Sequence, residues 1–455
     1  MLQRLTSEDA RILALESGAV VGHTCKIVIA ERACDDVVVE LRRQVAARIG
    51  RAPALRLRLA PTPLRLAAPA WVDDPAFDPA AHIRRAGGGD PASREQLREL
   101  VADLMAQRLD RSRPLWQLDV TDLEDGLVAG IWRVHHALAD GAASLALGEV
   151  GIWAASPTSP VPAGRPAALE PVPGPMALAV TALSEHAQNL AAAVARAAGA
   201  LLSADRWREK TRELATARPT LRRELRRLDG DSPLDAVIGR RRRVAFVDLP
   251  LDDVVGAAHA LGGVTVNDVA LALVAGGLRQ WLEHRHGEPG PMRVQVPVSM
   301  HRPGDSNANV DSFLNVDLPV AEPDPVRRVR AVSGETRDRK AHHDADELYA
   351  LFTDLSHASK RLYRRAYDVA SDPHVFALSV SNVRGPSEPR YLAGGRIREF
   401  YSLAEIAPRH ALRVSAWSFS GRFSFGLCAD ADAVPDLDIL ASGLEQSLDE
   451  LKARV

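Results

Sequence analysis

The chain has 455 residues, of which 46% are hydrophobic and 25% charged, and its formal net charge at pH 7 is −2. This length exceeds what one hydrophobic core normally covers, so we expect two domains or lobes of a globular protein. The near-neutral charge gives no general attraction to nucleic acid, and we predict no nucleic-acid partner.

The cysteines and the N-terminus give a first indication of location. The three cysteines, Cys25, Cys34 and Cys428, have no CxxC spacing, so neither a zinc knuckle nor a disulfide framework is supported. A reduced, cytoplasmic setting follows. The N-terminus lacks an apolar signal core, and the most apolar helical stretch, over 190–204, is shorter than a membrane span of roughly 20 residues. We therefore predict a soluble or peripheral protein.

Residues 1–155 mix strand and helix signals and are predicted to form an N-terminal lobe. The apolar patterns predict strands over 23–30, 115–120 and 126–134, a hairpin over 55–66, and helices over 35–49, 93–109 and 142–150. Ser93, three residues before Gln96, fits a capping box at the start of the second helix.

Residues 156–239 are predicted to connect the two halves of the chain. The stretch 156–175 is rich in Pro, Ala and Gly, which is typical of a linker. The following Ala- and Arg-rich stretch, 176–228, indicates a helix. We interpret it as a solvated connector, with contact between its basic surface and anionic lipid headgroups as the alternative.

Residues 240–455 are predicted to form a second, C-terminal lobe with the same mixture of elements. The patterns predict strands over 244–249, 294–298, 313–320, 377–383, 396–402, 412–418 and 422–428, and helices over 252–261, 266–285, 325–362 and 433–452. Two related α/β lobes would account for this repetition.

The run His135-His136-Ala137-Leu138-Ala139-Asp140-Gly141 is the strongest candidate for chemistry. It follows an apolar strand and leads into a helix. A neutral imidazole is a competent proton acceptor near pH 7. The acid and the glycine suit a turn that fixes the direction of the ring.

Two other kinds of site are disfavoured. Neighbouring side chains on a strand point to opposite faces, so His135 and His136 cannot easily bind one metal ion, and no HExxH motif or Cys/His cluster accompanies them. The chain also has no GxSxG elbow for a serine nucleophile. The remaining mechanism is direct attack, in which a histidine deprotonates a bound hydroxyl that attacks an activated acyl carbonyl.

His135 to Gly141 resembles the HHxxxDG motif of acyl-CoA-dependent acyltransferases of the chloramphenicol-acetyltransferase-like fold. The surrounding segments are similar to the bacterial wax ester synthase/diacylglycerol acyltransferase family. They are Trp71 to Pro75, Leu109 to Trp116, Val264 to Val269, Val296 to Met300, Ser381 to Pro386 and Phe425 to Leu427. The resemblance covers nearly the whole chain.

This resemblance implies a fold and an activity. It implies an α/β protein of two chloramphenicol-acetyltransferase-like lobes, with mixed sheets flanked by helices and the active site at the lobe interface. It implies acyl transfer from a fatty acyl-CoA co-substrate to diacylglycerol, giving triacylglycerol, with no other cofactor and no metal. A wax ester synthase acting on long-chain alcohols, or a catalytically weakened lipid-binding paralogue, is the alternative. Peripheral contact with the inner membrane face or with lipid inclusions is also implied.

The resemblance also assigns roles to residues. His136 is implied as the general base, Asp140 as an orienting acid, Gly141 as space for substrate, and His135 as either support for the neighbouring ring or an ordinary core histidine.

Four residues outside the motif are implied as substrate contacts: Asn267, Asp268, Ser381 and Asn382. Helix capping explains the first two equally well, and a turn explains Asn382. Arg384 stands where the family usually has Pro, and Arg413 where it usually has Asn. These departures bear on acceptor preference and favour the weakened-catalysis alternative.

Overall fold

The computed structural model describes residues 3–157, 171–201, 218–300 and 311–455. Two six-stranded sheets and one three-stranded sheet are flanked by helices. The strands are β1 (Gln3–Arg4), β2 (His23–Glu31), β3 (Leu57–Ala60), β4 (Ala70–Asp73), β5 (Ile83–Arg85), β6 (Trp116–Asp122), β7 (Leu127–His135), β8 (Arg242–Pro250), β9 (Met292–Ser299), β10 (Asp311–Leu318), β11 (Leu378–Arg384), β12 (Tyr391–Leu392), β13 (Gly395–Ala404), β14 (Leu412–Phe419) and β15 (Arg422–Asp430).

Several of the helices begin at side chains that cap them. Asp36, Asp140 and Thr265 accept hydrogen bonds from first-turn amides, and Ser93 with Gln96 forms the predicted capping box. The helices are α1 (Ser7–Leu15), α2 (Val37–Arg48), α3 (Pro79–His82), α4 (Arg94–Met105), α5 (Gly141–Gly151), α6 (Pro175–Leu201), α7 (Leu251–Leu261), α8 (Val266–His286), α9 (Pro325–Ala341), α10 (Asp344–Ala358), α11 (Lys360–Ala370) and α12 (Leu437–Lys452).

The first large sheet contains strands from both ends of the chain. Its order is β12-β13-β2-β7-β6-β5, and β13 lies antiparallel to β2, with Ser402 opposite Lys26. The sequence-based division assigned all of 240–455 to the second lobe. That assignment is wrong for β12 and β13, which cross over and complete the first sheet.

The second large sheet has the order β10-β9-β11-β14-β15-β8. Its central strand β11 runs parallel to both β9 and β14, and the other pairs are antiparallel. The sheet is therefore mixed, as predicted, and so is the first, in which β5 and β6 are parallel.

The two lobes share a continuous apolar core. Leu97 and Met105 of α4, in the first lobe, belong to the same buried cluster as Val247 of β8 and Leu444 of α12. A second cluster lies between the first sheet and α5, and it includes Trp417 of β14 from the second sheet. Burial of this apolar surface joins the lobes.

Two further predictions are corrected or limited by the structure. The helix predicted over 325–362 is three helices, because His343 adopts a left-handed conformation (φ 55°) that ends the run after α9, and Ser359 is extended (φ −162°) between α10 and α11. In the predicted connector, 175–201 is helical as α6, whereas 158–170 and 202–217 lie outside the described residues.

Within the ranges that the structure describes, no single helix is both long and apolar enough to cross a bilayer. The helices α7 and α8 reach the required length and composition only together, and they are bent by 104° relative to each other.

Candidate active site

The paired histidines lie where β7 ends beside β2. His135 is opposite His23 in the strand register, and Lys26 is opposite Trp132 on the other face of the sheet. His135 faces Glu16, whereas His136 lies close enough to Lys26 for that charge to affect its pKa. Within the described ranges, no group of three or more His, Cys, Asp or Glu residues is arranged to hold a metal ion.

His135 is a buried side chain whose two ring nitrogens both form hydrogen bonds. Its Nδ1 accepts the Ala137 N–H at 3.0 Å, so the ring proton is on Nε2, which donates to Glu16 Oε1 at 2.6 Å. Arg111 pairs with the other carboxylate oxygen at 2.9 Å. Burial raises the pKa of Glu16, but the hydrogen bonds from His135 and Arg111 outweigh it and hold the pKa below its usual value.

Gly22, in the loop before β2, contacts both histidines. Its carbonyl accepts the His136 N–H at 2.9 Å. Its φ is +75°, and a Cβ built on it would lie 2.7 Å from His135 Nε2. Only glycine fits this backbone conformation and this approach without strain. The loop therefore fixes the main chain of the motif.

His136 differs from its neighbour in exposure and charge. His135 is 1% exposed, whereas His136 is intermediate in exposure as a residue. Burial of its ring, together with the nearby positive charges of Arg413, Lys26 and Arg11, lowers the pKa of His136 to about 3. The imidazole is therefore neutral near pH 7 and can accept a proton.

Asp140 and Gly141 shape the turn after the histidines. Asp140 is 3% exposed, and its Oδ1 accepts the Ala143 N–H at 2.7 Å as the N-cap of α5. A Cβ built on Gly141 would meet no atom within 4 Å. Asp140 therefore caps α5, and Gly141 borders open space.

Lys26 is a buried cation on the same side of the sheet as α5. It is 3% exposed, and its Nζ donates to Ser402 Oγ of β13 at 2.7 Å. Burial lowers the pKa of Lys26 to about 8, and the nearby charge of Asp140 opposes that shift. The amine is thus largely protonated at pH 7.

The predicted residues of the second lobe form two small groups. Asn382 Nδ2 donates to Asn267 Oδ1 at 3.3 Å, and Ser381 Oγ donates to Ser415 Oγ at 3.3 Å. Because Ser381 and Asn382 are neighbours on β11, they face opposite sides of the sheet. The structure therefore brings Asn267 and Asn382 together and separates Ser381 from them.

Asp268 is occupied by structural contacts. Its Oδ2 accepts the Thr265 N–H at 2.9 Å in a capping box, and its Oδ1 accepts the Thr336 hydroxyl at 2.6 Å. The residue is 2% exposed. These contacts favour the helix-capping interpretation of Asp268, with Thr265 as the capping residue.

Arg413 connects the second sheet to His136. In the parallel register it lies opposite Ser379, two residues from the pair Ser381 and Ser415. Its guanidinium has the largest effect of any neighbouring charge on the pKa of His136. The face of β14 that carries Arg413 and Ser415 is therefore directed toward His136.

A cavity of about 330 Å³ lies along α5, between the lobes. Four aromatic side chains contribute to its walls, together with three arginine or glutamate side chains. The lining residues include Glu149, Trp153, Arg384, Arg390, Phe400 and Trp417. Glu149 and Arg390 pair at 2.9 Å, and Arg384 is exposed.

Comparisons with known proteins decide the family. The sequence model of the wax ester synthase/diacylglycerol acyltransferase catalytic domain matches residues 5–270, and that of the family's C-terminal domain matches 308–452. The chain belongs to this family. A Mycobacterium tuberculosis protein named as a candidate diacylglycerol O-acyltransferase is 31% identical over 99% of this chain and 97% of its own length. A second one from that organism is 30% identical, covering 85% and 84%.

Solved structures agree on the fold. The wax ester synthase/diacylglycerol acyltransferase of Marinobacter aquaeolei VT8 superposes with a TM-score of 0.70 at 23% identity, over 99% of each chain. The first condensation domain of the CDA synthetase gives 0.60 at 18% identity, over 100% and 97%. The predicted family and two-lobed fold are confirmed, and the protein is an acyl-CoA-dependent acyltransferase of the wax ester synthase/diacylglycerol acyltransferase type.

Sequence reasoning missed three charged residues of this acyltransferase's site. Glu16 and Lys26 contact or face the histidine pair, and Glu405 holds the loop beside them. Two had a signal in the sequence. Lys26 interrupts the apolar strand His23–Glu31, and Glu405 interrupts an apolar run. A lone charge in such a run is expensive to bury, and therefore deserves a functional or structural explanation.

Proposed function

We propose that this acyltransferase transfers a fatty acyl group from acyl-CoA directly to the free hydroxyl of diacylglycerol, giving triacylglycerol and CoA. His136 is the general base, and no acyl-enzyme forms. The observation that carries the proposal is the state of His136: a neutral imidazole on a residue of intermediate exposure, beside a hydrogen-bonded neighbour, His135. The naming of the mycobacterial relatives as diacylglycerol O-acyltransferases supports the acceptor.

The chemistry proceeds in two steps at His136. The imidazole takes the hydroxyl proton as the alcohol oxygen attacks the thioester carbon, and a tetrahedral intermediate with a negative oxygen forms. When the C–S bond breaks, the imidazolium returns the proton to the CoA sulfur. Such proton transfers typically contribute about 10²–10⁴-fold to the rate.

The cations around His136 favour the charges that develop during the reaction. The positive charges of Arg413 and Lys26 disfavour a protonated imidazole in the free enzyme. A negative oxygen forming near them would be stabilised, and its charge would raise the basicity of His136 at the moment when the proton moves. The site therefore favours the imidazolium only together with the oxyanion.

The cavity along α5 supports a place for the donor. Its 330 Å³ volume is near the lower end of the range for small-molecule sites, about 300–1,000 Å³. We assign it to part of the acyl-CoA molecule, with the aromatic walls against apolar portions and Arg384 toward a phosphate. The reaction as proposed uses two substrates, acyl-CoA and the alcohol. His136 supplies the proton transfer, and the cations stabilise the negative charge that develops.

The test uses purified protein, palmitoyl-CoA and one acceptor at a time, with free-thiol release and ester products measured together. Thiol release that depends on diacylglycerol and yields triacylglycerol supports the proposal. Release that depends on hexadecanol and yields a wax ester assigns the alternative acceptor. Thiol release without ester, or no release with either acceptor, contradicts it. Presenting diacylglycerol in anionic and neutral vesicles also tests the predicted peripheral contact with lipid.

A further inference from the structure

Glu405 is a buried carboxylate between β13 and β14. It is 5% exposed, in a run whose neighbours Ala404 and Ile406 are also buried. Removing a charged carboxylate from water is unfavourable unless donors replace the lost solvation. The hydrogen-bond donors around Glu405 therefore show what stabilises its buried carboxylate.

The carboxylate binds the loop that precedes β2. Both of its oxygens lie 2.8 Å from the Val21 N–H, and Oε2 also accepts the Gly22 N–H. Arg242 of β8 lies 3.4 Å from Oε1 and donates to the Ala19 carbonyl of the same loop. A residue from the second half of the chain thus holds the 19–22 loop of the first lobe.

The 19–22 loop in turn holds the base. The Gly22 carbonyl accepts the His136 N–H at 2.9 Å, and Gly22 packs against the His135 ring. The main chain of Glu405 reaches the opposite side of the site, because its carbonyl accepts Arg413 Nη1 at 3.3 Å. The side chain of Glu405 is therefore linked to His136 through Gly22, and its backbone carbonyl binds Arg413.

We propose that Glu405 is a positioning residue, whose ionised side chain sets the place of His136 through the 19–22 loop. This inference rests on the proposed function of His136 as the base. Glu405 itself touches no reacting atom. Its contribution is to hold the 19–22 loop of the first lobe in a fixed position relative to the strands of the second lobe. This position fixes His136 relative to Arg413.

The ionised form is the one that fits these contacts. A carboxylate offers only acceptors to the Val21 and Gly22 amides, whereas a carboxylic acid would direct an O–H toward donors. Burial raises the pKa of Glu405 to about 7, although the Val21 amide and Arg242 favour ionisation. The loop is therefore held fully only above about pH 7 and loosens as the pH falls.

The other titratable groups around Glu405 do not change charge in this range. Arg242 and Arg413 remain protonated. Burial raises the pKa of the Cys428 thiol to about 12, and burial with nearby positive charges lowers the pKa of His23 well below its usual value. Lys26, farther away beside His136, titrates at about 8 and acts in the opposite direction, because its charge is lost as the pH rises.

The test compares the pH profile of kcat in the wild type and in Glu405→Gln. The wild type should give a bell, rising through about pH 7 and falling above about pH 8. Glu405→Gln should lose the rising limb and turn over about tenfold more slowly at pH 7.5, since even a 1 Å misplacement can reduce a rate about a hundredfold. The KM for acyl-CoA should stay within about twofold.

Glu399→Gln is the matched control, a second carboxylate that joins distant parts of the chain. Glu399 of β13 pairs with Arg94 of α4 at 2.8 Å and is more exposed. This variant should keep the wild-type profile. A rising limb that persists in Glu405→Gln, or an equal change in both variants, overturns the proposal.

A measurement without substrate separates this proposal from the proposed function. In the wild type, peptides that contain Val21, Gly22 and His136 should lose protection from hydrogen exchange between pH 7.5 and 6, once the slower intrinsic exchange at the lower pH is corrected for. In Glu405→Gln these peptides should show low protection at both pH values. Unchanged protection overturns the positioning role, whether or not the protein esterifies diacylglycerol.

Discussion

Replacing Gly22 with alanine tests the support of the histidine pair. The new Cβ would lie 2.7 Å from His135 Nε2 and 3.2 Å from Glu16 Cγ. An ordinary separation is about 3.5 Å, so the ring or the loop must shift by roughly 0.8 Å. Such a shift breaks the 2.6 Å hydrogen bond between His135 and Glu16.

The expected loss of stability has two parts. A left-handed residue other than glycine costs roughly 1–2 kcal/mol, and a lost hydrogen bond to a charged group costs about 1.5–3 kcal/mol. Gly22→Ala should therefore lower the free energy of unfolding by roughly 2.5–5 kcal/mol. It should also lower kcat, because the Gly22 carbonyl binds the His136 N–H.

Gly126 provides a control with the same backbone but no neighbour. Its φ is +78°, and a Cβ there would meet no atom within 4 Å. Gly126→Ala should lose only the conformational part, about 1–2 kcal/mol, and keep full activity. The assay is urea unfolding of both variants alongside initial rates. Equal destabilisation of the two, or a fully active Gly22→Ala, would refute the argument that the loop supports the pair.

Three further substitutions test individual contacts. Glu16→Gln should lower the free energy of unfolding at pH 7 by about 1–2 kcal/mol. Because the pKa of Glu16 is lowered in the folded state, the wild type should lose this advantage as the pH falls below about 4.5. Thermal unfolding of both proteins at pH 7 and pH 3 measures the difference. Asp140→Ala removes the cap of α5 and should lower the melting temperature, by an amount that corresponds to about 0.5–2 kcal/mol. Lys26→Met should raise the pKa of the His136 ring in an NMR titration and lower kcat, and an unchanged pKa would show that the Lys26 charge does not reach the ring.

The local elements near the motif were predictable because their signals are local. The apolar run before His135 identified β7, and the turn predicted at Asp140 and Gly141 precedes α5. The alternation of side chains along a strand explains why the two histidines differ. One faces Glu16 as support, and the other is intermediate in exposure.

The pairings that assemble the site were not predictable, because they join distant parts of the chain. β13 pairs with β2 across more than 350 residues, and no local pattern specifies such a partner. The contacts of Glu405 with Val21 and of Lys26 with Ser402 follow from that crossover. The helix break at His343 was missed for a different reason, since the segment around this left-handed histidine contains no glycine or proline to signal it.

The central claim, that His136 is the base, is tested most directly by the turnover of His136→Ala. With palmitoyl-CoA and the preferred acceptor, thiol release should fall about a hundredfold or more, while circular dichroism and the unfolding midpoint stay close to wild type. His343→Ala, which changes a ring that is 77% exposed, should retain full activity. A folded His136→Ala protein that keeps more than about a tenth of the wild-type rate contradicts the assignment.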